Sequence, residues 1–264
     1  MSNSSFHDKR RDFVKQGSML AGAIAAAPLI SRANFFSGSD DVIKVAVIGC
    51  GGRGTGAAVQ ALMSKQNVKI VAMADAFKDR LDECYKNVAG ELANAGAGTK
   101  GTLDVPEERK FVGFDGYLKA IPLADVVILA TPPGFRPIHF EEAVKQGKHI
   151  FMEKPVATDP AGVQRVLAAA KIAKQKKLNV VVGLQRHYQD SYRALFAKKD
   201  MIGDITSMQA WWNNDGVWTR PRKAGQTEME YQMRNWYYFV WLCGDHITEQ
   251  HIHNLDVIKW FKNG

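Results

Sequence analysis

The sequence predicts an α/β protein, a doubly wound parallel sheet followed by a smaller α+β part. Two observations carry this. As far as Leu184, continuous Val/Ile/Ala runs alternate with helix-length segments, the pattern of strands covered on both faces of a parallel sheet. Beyond Leu184 the alternation stops, and all six tryptophans (Trp211, Trp212, Trp218, Trp236, Trp241 and Trp260) fall there, so that part has a different core. With 46% apolar and 23% charged residues, the 264-residue chain can bury a full-sized core.

Residues 1–33 read as an address rather than as structure. Lys9-Arg10-Arg11-Asp12-Phe13-Val14-Lys15 sets two arginines before an apolar pair. A weakly apolar Ala/Gly stretch from Gly17 to Ile30 follows, then the small-x-small site Ser31-Arg32-Ala33. This is the build of a twin-arginine export signal, which implies a periplasmic protein exported already folded. The stretch is shorter than the ~20 residues that span hydrocarbon, so stable membrane insertion is not expected. Residues 34–41 read as a linker.

From Val42 the elements follow in order. The expected strands are Val42–Gly49, Val68–Asp75, Phe111–Phe114, Ala124–Thr131, His149–Glu153 and Leu178–Leu184. The expected helices are Thr55–Ser64, Lys78–Leu92, Pro137–Gln146 and Pro160–Lys176, and residues 94–109 form a Gly-rich loop without periodicity. After residue 184, Ile205–Trp212 reads as a strand and 229–262 as largely helical. The domain reading is therefore a nucleotide-binding domain at 42–184 and the start of a substrate domain at 185–264.

The net charge of +8 is partly spent in the first 33 residues, where five basic residues face two acidic ones. The remainder has no long Lys/Arg block, so nucleic acid is not an expected partner. Cys50, Cys84 and Cys243 show no paired spacing, which gives neither a zinc site nor a disulfide framework.

Three motifs carry chemistry. The first strand runs directly into Gly49-Cys50-Gly51-Gly52-Arg53-Gly54, with a helix behind it. Gly49 permits the tight turn, Gly51 lets backbone approach a pyrophosphate, and Gly54 lets helix and strand pack closely. This is the Rossmann dinucleotide fingerprint. Asp75 lies 21 residues beyond Gly54 at a strand end, where a carboxylate meets ribose hydroxyls and repels a 2′-phosphate. The expected cofactor is NAD. The second motif, Glu153-Lys154-Pro155, ends another strand of the sheet. An ammonium there can hold a substrate hydroxyl or alkoxide, although position alone favours a solvated surface lysine.

The third motif is the run Gly244–Asp256. On a regular helix His246, Glu249, His253 and Asp256 share one face, with Ile247, Leu255 and Ile258 opposite. Glu249 and His253 are i, i+4 neighbours, which would let the carboxylate orient a general-base imidazole. A solvated face and a metal site remain alternatives at this point, though no HExxH spacing is present.

Together these residues resemble the glucose–fructose oxidoreductase, inositol dehydrogenase and MocA family. The resemblance runs from about Val42 onward through GCGGRG at 49–54, Asp75, Thr131-Pro132-Pro133 with His139, Glu153-Lys154-Pro155, and His253-Asn254-Leu255-Asp256. It implies a cofactor site drawn from Gly49, Gly51, Gly52, Arg53, Gly54, Asp75, Thr131, Pro132, His139, Glu153 and Lys154. It also implies that Lys154 and His253 act on a substrate hydroxyl, with Glu249 in place of the family's aspartate one turn before the histidine. No metal is implied. The expected activity is NAD-dependent oxidation of a sugar, with the cofactor tightly held. Redox-neutral glycoside cleavage or epimerisation through transient oxidation, and a noncatalytic binding role, are the alternatives. A homo-oligomer is compatible with the family. Family chains usually continue into a completed antiparallel sheet, so the second domain is expected to be incomplete here.

Overall fold

The structure, a computed structural model, describes residues 41–263. The segment 1–33, read above as an export signal, and all of the expected linker but Asp41 lie outside the described residues. Contacts divide the chain at Val42, and everything below concerns the unit Ile43–Gly264.

Seven parallel strands form one sheet: β1 (Ile43–Ile48), β2 (Val68–Asp75), β3 (Thr102–Leu103), β4 (Lys110–Val112), β5 (Val126–Leu129), β6 (His149–Met152) and β7 (Val180–Val182). Their order is β3-β2-β1-β5-β6-β7, with β4 also on β2. The order reverses between β1 and β5, which places the crevice of a doubly wound sheet at their carboxyl ends. This is the Rossmann arrangement expected from the sequence. The helices are α1 (Gly52–Leu62), α2 (Lys78–Ala95), α3 (Gly116–Ala120), α4 (Arg136–Lys145), α5 (Pro160–Gln175), α6 (Asp190–Phe196), α7 (Glu228–Arg234), α8 (Val240–Cys243) and α9 (Ile252–Asn263).

The period of two along β1 explains why its run is apolar throughout. Ala46 and Ile48 enter one core with Leu129, Phe140, Val144 and Met152. Val45 and Val47 enter the other with Leu62, Ile70, Met73 and Leu81. Both faces are covered, so neither can be polar. Helix α5 shows local start signals, with Pro160 at its first position and the Asp159 carboxylate accepting from Gly162 N at 2.7 Å.

Two expectations are corrected. Strand β3 lies inside the Gly-rich loop, because the free edge of β2 at Lys69 and Ile70 pairs it, and two residues carry no readable period. Ile205–Trp212 forms no strand. It has no strand neighbour among the described residues, and side chains of α9 take two of its carbonyls: Lys262 Nζ donates to Ile205 O at 3.0 Å and Asn254 Nδ2 to Trp211 O at 2.7 Å. The stretch from 229 is helical but broken, with a left-handed Gly244 ending α8 and a π turn, Ile247–His251, leading into α9.

Candidate active site

Gly49 leaves β1 with φ of +95°, and a Cβ there would lie 2.5 Å from Thr131 N. A Cβ on Gly54 would lie 1.8 Å from Gly49 O, so α1 and β1 approach as closely as they do only because both positions are glycine. Gly51, by contrast, faces open space. It is the N-cap of α1, has no side-chain capping bond, and is followed by no acidic residue in the first turn. The first N–H groups and the positive end of the helix dipole are thus left for an anion, which is the chemistry a pyrophosphate requires.

Asp75 closes β2 beside this loop. Its Oδ2 accepts from Cys50 N at 2.7 Å and its Oδ1 from Phe77 N at 2.9 Å, which fixes the carboxylate plane. Burial raises its pKa above the ordinary value, and those two N–H donors oppose the shift. A cavity of about 670 Å³ runs from Gly49, Gly51, Gly52 and Arg53 past Asp75 to Thr131, Pro132 and His139, a size suited to a cofactor. The donors, the open Gly51 and the carboxylate fit a dinucleotide without a 2′-phosphate.

His139 sits on α4 against Tyr117, ring centroids 4.3 Å apart, and its Nδ1 lies 3.1 Å from Thr131 Oγ1. Burial, then the charge of Arg136, holds its pKa down at about 3, so the ring is neutral. Arg136 itself is buried. Its guanidinium donates to the carbonyl oxygens of Thr131, Glu153 and Pro155, tying together the chain ends that leave β5 and β6. Nothing in the spacing marked Arg136. An arginine opening a helix beside Pro137 reads as a surface residue.

Glu153 links the cofactor loop to the next residue's chemistry. Arg53 Nε donates to Glu153 Oε1 at 2.9 Å, and Arg53 Nη2 reaches the same oxygen. Lys154 follows, and its ammonium meets Glu249 Oε1 at 2.7 Å and also Glu249 O. Both side chains of this pair are nearly excluded from solvent, at 11% and 7% exposure. Burial raises the pKa of Glu249, with Lys154 opposing. His253, in the first turn of α9, is also buried, and Trp212 lies beside it with ring centroids 6.0 Å apart. Burial, then the charges of Lys154 and Arg186, lowers its pKa to about 4.

The structure thus brings Lys154, Glu249 and His253 together, but not in the pairing read from the helical wheel. The π turn at Ile247–His251 takes more residues per turn than an α-helix, which breaks the α-helical i, i+4 alignment of Glu249 with His253, and the carboxylate bonds Lys154 instead. His246 is exposed and bonds Asp245, while Asp256 pairs with His187 at 2.8 Å. Ile247 and Leu255, placed opposite that face on the regular helix, are 55% and 44% exposed. Lys154, Glu249 and His253 are not among the residues that line the 670 Å³ cavity, although Thr131 and His139 are. No helix among the described residues is long and apolar enough to cross a membrane.

Residues 43–184 match the family GFO_IDH_MocA, described as an oxidoreductase family with an NAD-binding Rossmann fold. An inositol 2-dehydrogenase of Pseudomonas fluorescens is 29% identical over 227 residues, 84% of this chain and 55% of that protein. One from Gluconacetobacter diazotrophicus is 30% identical over 149 residues, 56% of this chain and 38% of its own length. Among solved structures, the scyllo-inositol dehydrogenase of Lactobacillus casei with bound NAD(H) and scyllo-inositol shares the fold. Its TM-score is 0.54 at 24% identity, over 84% of this chain and 56% of that one. The chain spans about half the length of these relatives. On the matched segment, the loop at 49–54 and the strand order, the chain belongs to the Gfo/Idh/MocA oxidoreductase family and carries its NAD-binding Rossmann fold.

Proposed function

We propose that this protein oxidises a secondary hydroxyl of a sugar or cyclitol with NAD, and that it holds the cofactor through the reaction. The observation that carries the reading is the buried Lys154–Glu249 pair, whose ammonium acts on the buried, neutral His253, joined to the glycine loop through Glu153 and Arg53. His253 is a base at neutral pH and takes the hydroxyl proton. Lys154 stabilises the alkoxide left behind, and Glu249 holds that ammonium in place. The nicotinamide, when bound, supplies the hydride acceptor. The inositol dehydrogenases named above support a polyol substrate.

The arginine pair Arg10-Arg11 supports export in the folded state, and a cofactor bound before export would have no free pool to exchange with. Incubating the purified protein with NAD and a panel of inositols and sugars tests the reading, by the absorbance of reduced nicotinamide. Reduction by at least one polyol is the expected result. Unchanged absorbance with every polyol would count against it.

A further inference from the structure

The residues facing Asp75 across the cleft come from outside the matched nucleotide-binding segment. Trp218, Arg220, Met233, Arg234 and Trp236 line the same cavity as Gly51, Asp75, Phe77 and Arg80. They belong to a strap, residues 217–236, whose conformation is set by a few specific contacts. Asn235, only 3% exposed, accepts from Arg220 N at 2.7 Å and donates to Arg220 O at 3.1 Å, so one amide side chain pins that backbone. Tyr238 donates its hydroxyl proton to Val217 O at 2.5 Å. Trp218 meets Trp236 edge-on at 6.2 Å and lies under the Arg220 guanidinium at 5.1 Å.

One contact pair fastens the strap to the nucleotide-binding side. Arg234 makes a bidentate bond with Asp79 on α2, 2.9 and 3.0 Å, while its guanidinium lies 4.1 Å over the ring of Phe77. Such a fork-to-fork pair is the strongest geometry an arginine and a carboxylate offer. Phe77 and Asp79 follow directly on the strand end that carries Asp75, so the latch closes at the ribose-reading end of the cleft. The charge of Arg234 is answered by Asp79 and Glu230. Arg220 has no carboxylate partner among the described residues and borders the cavity.

Resting on the NAD reading above, we propose that residues 217–236 are a second wall of the dinucleotide site. Trp218 and Trp236 supply ring faces for the adenosine half, and Arg220 supplies charge for the diphosphate. The Arg234–Asp79 latch must open before the cofactor can leave. The bound nucleotide is enclosed between two parts of the chain, which is a physical basis for retention through turnover.

The experiment loads the protein with NAD and follows its release after dilution into excess unlabelled NAD, together with hydrogen exchange of the amides in 217–236. Asp79→Asn and Arg220→Gln should each release NAD faster, by about ten-fold, because affinity changes of this kind fall mainly on dissociation. NAD loading should slow exchange across 217–236 in the unmutated protein, a readout that needs no variant to fold. Equal release rates in all three proteins, or exchange in the strap indifferent to NAD, would overturn the proposal while leaving NAD binding intact. A protein that takes up no NAD at all would overturn the NAD reading, and the strap's ligand with it.

Discussion

Lys154 Nζ lies 2.7 Å from Glu249 Oε1, so the end of β6 is joined to the π turn ahead of α9 by a buried ion pair. An ion pair so desolvated is weak as a stabiliser but costly to halve. Glu249→Ala should destabilise the fold by about 3–5 kcal/mol, because it leaves the ammonium buried without a counter-charge. The double variant Lys154→Met/Glu249→Leu should recover most of that loss. Urea unfolding of the three proteins measures both effects. A single variant no less stable than the double would show that the pair is solvated.

The two neutral histidines make stability depend on pH in a defined direction. His139 and His253 have folded pKa values of about 3 and about 4, below the ordinary value of about 6.5 expected when unfolded. Their neutral forms are favoured in the fold, so their contribution is complete above about pH 6.5. It is lost as pH falls, by up to about 1.4 kcal/mol per pH unit for each ring. Denaturant midpoints should therefore drop between pH 7 and about pH 4, and His139→Gln should flatten the slope. A midpoint independent of pH across that window would contradict the burial of both rings.

The glycines of the loop should separate folding from binding. Gly54→Ala places a methyl 1.8 Å from Gly49 O, and should cost about 1–3 kcal/mol of stability through overpacking. Gly51→Ala meets no protein atom, and should leave stability near normal while weakening NAD binding. Thermal unfolding and calorimetric titration on the two variants check this. Loss of stability in Gly51→Ala with NAD affinity unchanged would reverse the assignment.

Cofactor choice should follow Asp75. The protein is expected to bind NAD well ahead of NADP, and Asp75→Ala should narrow the difference by removing the charge that repels a 2′-phosphate. Calorimetry showing tighter NADP binding in the unmutated protein would remove Asp75 from the role.

The Rossmann part was legible because its signals are local and redundant. The apolar runs of β1 and β2 show their burial on both faces, and the glycine spacing at 49–54 follows from two backbones meeting at Gly49 and Gly54. The partners of Glu249 were not legible. A wheel drawn at a fixed helical period cannot contain a π turn, and that turn decides whether the carboxylate meets His253 or Lys154. Arg136 escaped notice for a related reason, since its three carbonyl acceptors at Thr131, Glu153 and Pro155 come from two separate strand ends. The tryptophans were visible as a cluster, but sequence alone gave Trp218 no cleft to face. Ile205–Trp212 is strand-like in its residues, and what it lacks is a strand neighbour among the described residues.

In the proposed reaction NAD oxidises a polyol hydroxyl, with His253 taking its proton and Lys154 holding the alkoxide. That reaction is tested most directly by single-turnover hydride transfer from a polyol carrying deuterium on its carbinol carbons, with the unmutated protein, Lys154→Ala and His253→Ala compared. The unmutated protein should yield deuterated reduced nicotinamide. Each variant should be slower by about 10²–10⁴-fold while still binding NAD. Near-normal transfer in His253→Ala, or no deuterium on the nicotinamide with any polyol, would contradict the account.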